Sequence, residues 1–454
     1  MPRRPLFIFF ALLFACASGA YSQPPLERRP AKPTPKAKEE ITKIEPKTRE
    51  DILKVLELPA ASSKEGLLAR LLNTITINTA SGPIIPLPVA DSSKDLGPSF
   101  GFMPIIGIRG KNTSELKAVI APSITYNANL RTTLTYRHYI FPDEKRYFIL
   151  RASKSERVER ELMVYYYTPQ LFSTKMRLSV EAKHWVTGKP SFYGFGINSK
   201  RGDKANYALN IAGEEFILDI PVLKHLFINF NHSYFAKQID DGPMNSGQMQ
   251  KTFPLLYSEA AGRRFFHTNR FSLVYDDTDH PFLPKIGTYA SASALYSNKK
   301  LGSDYEYRTY AFQAKNYYNY KEEGRFVTAA HWLLQFQRGE TPPFYAMPQL
   351  GESTGLRMTG DGRFTDHGKF VFTIEERITL SHTPFMKFIS ETEIAPFLDV
   401  GTVFTKPTAF RARNLKYAPG ISARLVIRPQ LVATIDFAYG SEGTNAIIRI
   451  GYPF

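Results

Sequence analysis

Gly351-Glu352-Ser353-Thr354-Gly355 has the spacing of a nucleophile elbow. A serine in that pattern is activated only on a strand–turn–helix corner with an oriented histidine in reach. No helical periodicity follows it, so the pentapeptide reads as a loop. Asp276, Asp277, Asp279 and His280 gather possible cation ligands. The glycine and closing glutamate of a calcium loop are absent, so a turn at a strand end is the simpler reading. The nine His are scattered, with no H-E-x-x-H spacing. The one cysteine, Cys16, excludes an intramolecular disulfide and a cysteine-based metal site. No P-loop or dinucleotide fingerprint occurs. Tyr165-Tyr166-Tyr167 and Tyr317-Tyr318 read as interfacial girdle rather than as a stacking platform. Neither enzymatic activity, nor a cofactor, nor a metal site is expected.

What remains is charge, and charge needs elements to place it. The chain has 454 residues, 43% hydrophobic and 22% charged, with a formal net charge of +16. That composition excludes a disordered chain, a collagen-like repeat and a small disulfide scaffold. Nucleic-acid binding would explain the basic excess, but no supporting module is present and the N-terminus reads as an export signal, so no nucleic-acid partner is expected. Two readings stay open. Arg131, Arg137, Lys175, Arg177, Lys183, Arg424 and Arg428 share a parity that would line a cationic lumen. Alternatively, the excess meets anionic lipid headgroups or lipopolysaccharide at the rims of a membrane protein.

Residues 1–20 read as a signal peptide. Arg3 and Arg4 precede an apolar run from Leu6 to Ala17, and Ser18-Gly19-Ala20 supplies small residues for cleavage. The run is too short to span a bilayer as a helix. Lipidation of Cys16 is the rival reading. Residues 21–47 form a Pro/Lys-rich linker, and 48–115 a short periplasmic segment. That segment holds two small helices, opened by capping boxes at Thr48/Asp51 and Ser62/Glu65, and one strand-like piece near 102–108. No window approaches eighteen apolar residues, so any membrane crossing is by strands.

From 116 to 454 the sequence breaks into segments of about ten residues that alternate in polarity between turn residues. In a strand, alternate side chains face opposite sides. Leu178, Val180 and Ala182 thus oppose Arg177, Ser179, Glu181 and Lys183. Phe370, Phe372 and Ile374 oppose Lys369, Thr373, Glu375 and Arg377. Alternation alone does not separate a sandwich from a barrel. The export signal, the number of segments and the last strand favour the barrel. Sixteen segments, centred from about residue 121 to about residue 449, predict an all-β fold: a sixteen-stranded antiparallel transmembrane barrel behind a short, partly helical periplasmic extension. Ile450, Tyr452 and Phe454 share the face expected to meet lipid, as a barrel-ending signal. Gly451 and Pro453 weaken the pairing of that strand.

The second half resembles the bacterial surface antigen family, the barrel-assembly and translocation superfamily of outer-membrane barrels. Leu350-Gly351, then Leu356-Arg357-Met358-Thr359, then Gly362-Arg363-Phe364 are similar to its inward-loop signature, with Met358 and Thr359 replacing a glycine and an aromatic residue. Phe397-Leu398-Asp399-Val400-Gly401 and Glu375-Glu376-Arg377 resemble its strand motifs. Tyr275-Asp276 with Asp279 resembles its hairpin motif, with Thr278 where arginine is usual. The resemblance implies that the loop of about 340–366 folds into the lumen. Its arginine then pairs with inward acids, so Arg357 is expected on Asp399, Glu375 or both. It also implies a bacterial outer-membrane location and a role in outer-membrane protein assembly or polypeptide and lipid translocation, in a short form lacking tandem periplasmic domains. Outer-membrane lipid, lipopolysaccharide and other outer-membrane or periplasmic proteins are the expected partners. A passive, anion-preferring pore with the loop as constriction, and a structural surface protein, are the alternatives.

Overall fold

Alternating polarity can satisfy every backbone group in lipid only if the sheet closes on itself. The computed structural model shows that closure. It describes residues 77–79, 81–110, 116–143, 146–244, 247–280, 283–320, 325–385, 388–427, 431–450 and 452–454. The predicted signal peptide, the linker and the two small helices lie outside the described residues, as does Arg428.

Eighteen antiparallel strands form the wall among the described residues, two more than expected. They are β1 (Gly82–Ser93), β2 (Gly97–Arg109), β3 (Leu116–Ile120 continued by Ser123–Asn127), β4 (Arg131–Ile140), β5 (Tyr147–Ser155) and β6 (Arg160–Thr168). Then come β7 (Arg177–Thr187), β8 (Ala205–Leu223), β9 (Leu226–Asp241), β10 (Arg264–Asp276), β11 (Gly287–Ser297) and β12 (Tyr307–Asn319). The last six are β13 (Phe326–Gly339), β14 (Gly368–Phe385), β15 (Phe388–Phe404), β16 (Lys416–Ile427), β17 (Leu431–Gly440) and β18 (Gly443–Ile450).

The two additional strands, β1 and β2, lie where the sequence reading placed a periplasmic segment, so the wall begins at 82 and not at 116. Proline hid them. Pro83, Pro86 and Pro88 in β1 argue against a central strand, but they are tolerated where a strand has a free edge. β1 is that strand. It pairs along its length with β2, from Ile84↔Ile106 to Ser93↔Gly97, while its other edge meets the last strand, β18, at Ser92↔Ile448.

The outer face carries exposed Phe100, Ile124, Leu134, Leu162, Phe271, Phe312, Trp332 and Phe437. The inner face buries Arg137, Glu181, Asn231, His331, Glu375, Arg424 and Asp436. A soluble sandwich would invert this arrangement, so the apolar belt faces lipid. No described helix is long and apolar enough to cross a membrane.

The two rims differ. At one, β8 and β9 are joined by residues 224–225 alone. At the other, long connections run over 188–204, 242–263, 340–367 and 405–415. The 242–263 connection holds α1 (Met249–Thr252) and α2 (Pro254–Ala260). Met249 and Ala260 pack with Phe192, Tyr207, Phe266, Tyr307, Phe344 and Tyr345 in an aromatic cluster under that rim.

Not every basic residue assigned to the lumen is there. Arg137 and Arg177 are buried inside, and Lys183 pairs with Glu181 at 2.7 Å. Arg131 opens a strand at a hairpin turn with φ +63° and is exposed, its guanidinium donating to the Tyr126 hydroxyl. Lys175 is exposed in the turn before β7. Turn residues lose the strict alternation on which the parity count relied.

Candidate functional site: the inward loop and the seam

The 340–367 connection leaves β13 and folds inward against β14–β17. Its own sequence supplies the apolar side of the dock. Leu350, Leu356, Met358 and Phe364 are fully buried with Val371, Phe397, Val403, Ala418 and Ala438 from the wall. A two-residue ladder, Gln349–Leu350 with Phe364–Thr365, ties its ends together. Met358, where the family pattern has glycine, is accommodated by Gly440, whose missing side chain leaves room for its sulfur. Gly362 is required for two reasons. Its φ is +69°, and a Cβ there would stand 2.5 Å from the Ser191 carbonyl oxygen.

Arg357 is the polar centre of the dock. It donates from Nε to Asp399 Oδ2 at 2.9 Å and from Nη2 to Oδ1 at 2.7 Å, and its backbone N–H donates to the same carboxylate at 3.0 Å. The guanidinium carbon lies 3.2 Å from the Phe397 ring centroid. Glu375 is further off, at 3.8 Å, because its carboxylate is held by Arg377 and Arg424, each at 2.7 Å. Asp436, 3.4 Å from Arg357, completes the group and also binds Ser422 and Arg449. Arg424 reaches Glu393 as well, at 2.8 Å. Arg357, Arg377, Arg424 and Arg449 thus face Glu375, Glu393, Asp399 and Asp436, so the buried cluster is neutral. A buried charge is tolerable only in such company.

Arg363 makes a second anchor. It donates to Glu442 from Nε at 2.7 Å and Nη2 at 3.2 Å, and to the Ser199 hydroxyl and carbonyl at 2.8 Å each. Phe364 and Tyr193 flank its guanidinium at 4.3 and 4.9 Å.

The loop also bridges the seam between β1 and β18. Glu352 Oε2 accepts from the Lys94 backbone N–H at 3.1 Å, in the β1–β2 turn, and from Asn445 Nδ2 at 2.9 Å, on β18. Lys94 Nζ donates to the Met358 carbonyl at 2.5 Å and to the Glu442 carbonyl at 3.0 Å. Asp95 Oδ2 accepts from the Asp361 backbone N–H at 2.8 Å. Burial, with Asp361 and then Asp95 nearby, pushes the Glu352 carboxyl up to about 7.

Strand pairing at the seam is sparse. Pro86 stands opposite Pro104. Two prolines cannot exchange N–H···O bonds, so theirs is a non-hydrogen-bonded pair whose nitrogens point away from each other. Pro86, and Pro88 two residues on, therefore turn their nitrogens toward β18 and offer it no donor. The strand-like Ile77–Thr79 covers only Gly82–Ile84 of that edge.

Tyr452 and Phe454 do not lie on the lipid face where the sequence reading put them. β18 ends at Ile450, and both rings enter the lumen. Tyr452 donates to Glu393 at 3.0 Å and its ring lies 3.7 Å from the Arg377 guanidinium. Phe454 stacks on His331 at 5.2 Å. Guanidinium–ring contacts with Arg377 hold both rings inside, and Pro453 has no N–H to continue the ladder.

The remaining motifs are structural. Ser353 donates to Asp361 at 2.6 Å, not to a histidine. Asp276, Asp277 and Asp279 accept from Thr278, Thr288 and Lys285 within their hairpin. Among the described residues no group of three possible metal ligands occurs. Sequence reasoning found Arg357, Glu375 and Asp399; Asp436 lies in none of the motifs that pointed to them. Nothing local marked Glu442, Lys94 or Asn445, which act through positions far away in the chain.

A family model described as the Omp85 superfamily domain matches residues 146–442. Among solved structures, the chain is similar to BamA from Haemophilus ducreyi lacking POTRA domains 1-3, at 13% identity and a TM-score of 0.54, over 89% of this chain and 81% of that one. It is also similar to CdiB from Acinetobacter baumannii, at 11% identity and a TM-score of 0.42, over 81% of this chain and 59% of that one. No curated protein matches it.

Proposed function

Because this chain belongs to the Omp85 superfamily and is a bacterial outer-membrane β-barrel, we propose that it assists the insertion or passage of polypeptide or lipid through the seam between β1 and β18. The long-loop rim is then extracellular and the short-turn rim periplasmic. One observation carries this reading: among the described residues the β1–β18 junction has the shortest ladder in the wall, and the inward loop bridges it. β14 and β15 pair from Gly368↔Phe404 to Phe385↔Phe388, whereas β1 and β18 share Ser92↔Ile448 among the described residues. Proline denies the periplasmic half of β1 its donors, and the residues that would extend β18 turn inward. A strand edge left open at that depth is a template for an incoming strand. Other outer-membrane or periplasmic proteins are its partners on this reading, together with the surrounding lipid and lipopolysaccharide.

The test is to lock the seam. Ser92→Cys with Ile448→Cys places two thiols on directly opposed residues, within disulfide reach. Oxidised cells should show lowered levels of other outer-membrane barrels, as depletion of the protein should, and reductant should restore them. Normal levels with the seam locked would overturn the reading.

A passive anion pore has one observation in its favour. Lys237, Lys315 and Lys369 face the lumen without a carboxylate in ion-pair distance among the described residues. Against it, the lumenal arginines of β14–β18 are neutralised. Steady anion-selective current in a planar bilayer would decide for the pore, and silence in both assays for a structural surface protein.

A further inference from the structure

Like charges directly opposed on neighbouring strands repel, so a sheet keeps such a pair only when something else neutralises it. Lys154 at the end of β5 stands directly opposite Arg160 at the start of β6, and both are exposed. Register fixes where they point. Lys154 shares its rung with the exposed Leu134 of β4, and Arg160 shares its face with the exposed Leu162 and Val164. The pair therefore faces outward, at the top of the lipid belt, on the long-loop side. Neither side chain makes an ion pair or a hydrogen bond among the described residues. Glu161 does not serve them, because its carboxylate pairs with Arg151 at 3.0 Å. Glu159 does not either, because it accepts from Thr187 at 2.8 Å and from the Gly188 backbone at 3.1 Å. Glu156, the nearest acid on the same parity, accepts from the Thr132 backbone N–H at 3.3 Å.

His184 on β7 pairs with Leu162 and stands beside Arg160. Its Nε2 lies 3.1 Å from Asn210 Oδ1. Between these side chains lies a recess of about 350 Å³ lined by Ser153, Lys154, Arg160, Glu161, Leu162 and His184. Arg131 and Arg157 on the adjoining turns add further positive charge. Arg308 and Arg338 form a second opposed cation pair on the far wall. Glu306 and Glu340 stand two residues beyond them, so the first pair is the better site.

We propose that Lys154 and Arg160 form a binding site for the phosphate of an outer-leaflet glycolipid, the lipid A part of lipopolysaccharide, with Leu162 and Val164 meeting its acyl chains below. A guanidinium and an ammonium side by side suit a phosphate dianion, the first as a fork and the second as a point charge. The inference rests on the barrel sitting in the outer membrane with its long-loop rim extracellular, as proposed above. It is independent of whether the seam carries cargo.

The test uses the full chain in detergent, presented with bisphosphorylated lipid A, with the same lipid dephosphorylated, or with phosphatidylglycerol, and read by native mass spectrometry. Wild type should bind bisphosphorylated lipid A at least tenfold more tightly than the dephosphorylated form. Lys154→Gln with Arg160→Gln should erase that difference, whereas Lys175→Gln, one charge removed at the opposite rim, should preserve it. Unchanged heat-modifiability on gels checks that each variant is folded, and Lys154→Arg provides a conservative variant that should retain binding. An undiminished preference in the double variant overturns the site. Equal binding of phosphatidylglycerol, lost equally in the double variant, overturns the glycolipid assignment in favour of a general anion surface.

Discussion

Arg357 makes the largest single demand on the fold, because its charge is buried and has no way to reach water. Replacing it by Ala leaves Asp399 without its fork and Asp436 with one cation fewer. The cost of such a break is about 3–5 kcal/mol. Limited proteolysis of 340–367 should then accelerate at least tenfold, and Arg357→Lys should rescue it only in part, since an ammonium cannot hold both oxygens in one plane. Glu352 behaves differently. Its carboxyl is raised to about 7 in the docked loop, so the docked form favours the protonated acid. Stability from this group is complete below the ordinary glutamate range and is lost as pH rises through 7. Loop protection should therefore fall as pH rises from about 4.5 to about 7 and level off above that, and Glu352→Gln should flatten that dependence. A protection profile that is level in wild type would refute the assignment. Arg357 and Asp399 were legible in the sequence because both sit in local motifs on a known parity. Glu352 was legible only as a false elbow, since its partners lie 258 and 93 residues away.

At the scale of elements, periodicity read well wherever a strand had two neighbours and one polar face. It failed at β1, where prolines break the pattern, caught only 102–108 of β2, and failed after Ile450, where side chains leave the sheet. Both failures fall at the seam, the place where the ladder itself is interrupted. Hydrogen exchange should locate it. The Ala90 amide, which faces β18 beside two prolines that have none, is expected to exchange roughly a hundredfold faster than the amides at the centre of the β14–β15 pair, since exchange follows local opening. Pro86→Thr with Pro88→Thr restores two donors on the open edge and should narrow that gap. Equal exchange in wild type at both places would mean that the seam is as closed as any other junction.

For the whole molecule, β1 and β2 decide the size of the ring. Two strands at ~4.8 Å spacing add roughly 10 Å of circumference over the sixteen expected. They also bring Lys94 and Asp95 to the loop, so the extra hairpin is both wall and clamp. Deleting residues 77–110 should remove the heat-modifiable gel form altogether. A folded barrel surviving that deletion would return the wall to sixteen strands. The clamp also sets an order of events. The loop in the middle of the chain rests on a turn near residue 95 and on another near residue 442, so its full set of contacts forms only once the two ends of the wall have met. Before then Glu352 and Asp361 lack their partners Lys94 and Asp95, and afterwards the ring is difficult to reopen from outside. Complete loop seating is therefore expected late in biogenesis, and a protease that cuts 340–367 in cells should distinguish newly made, unsealed molecules from mature ones.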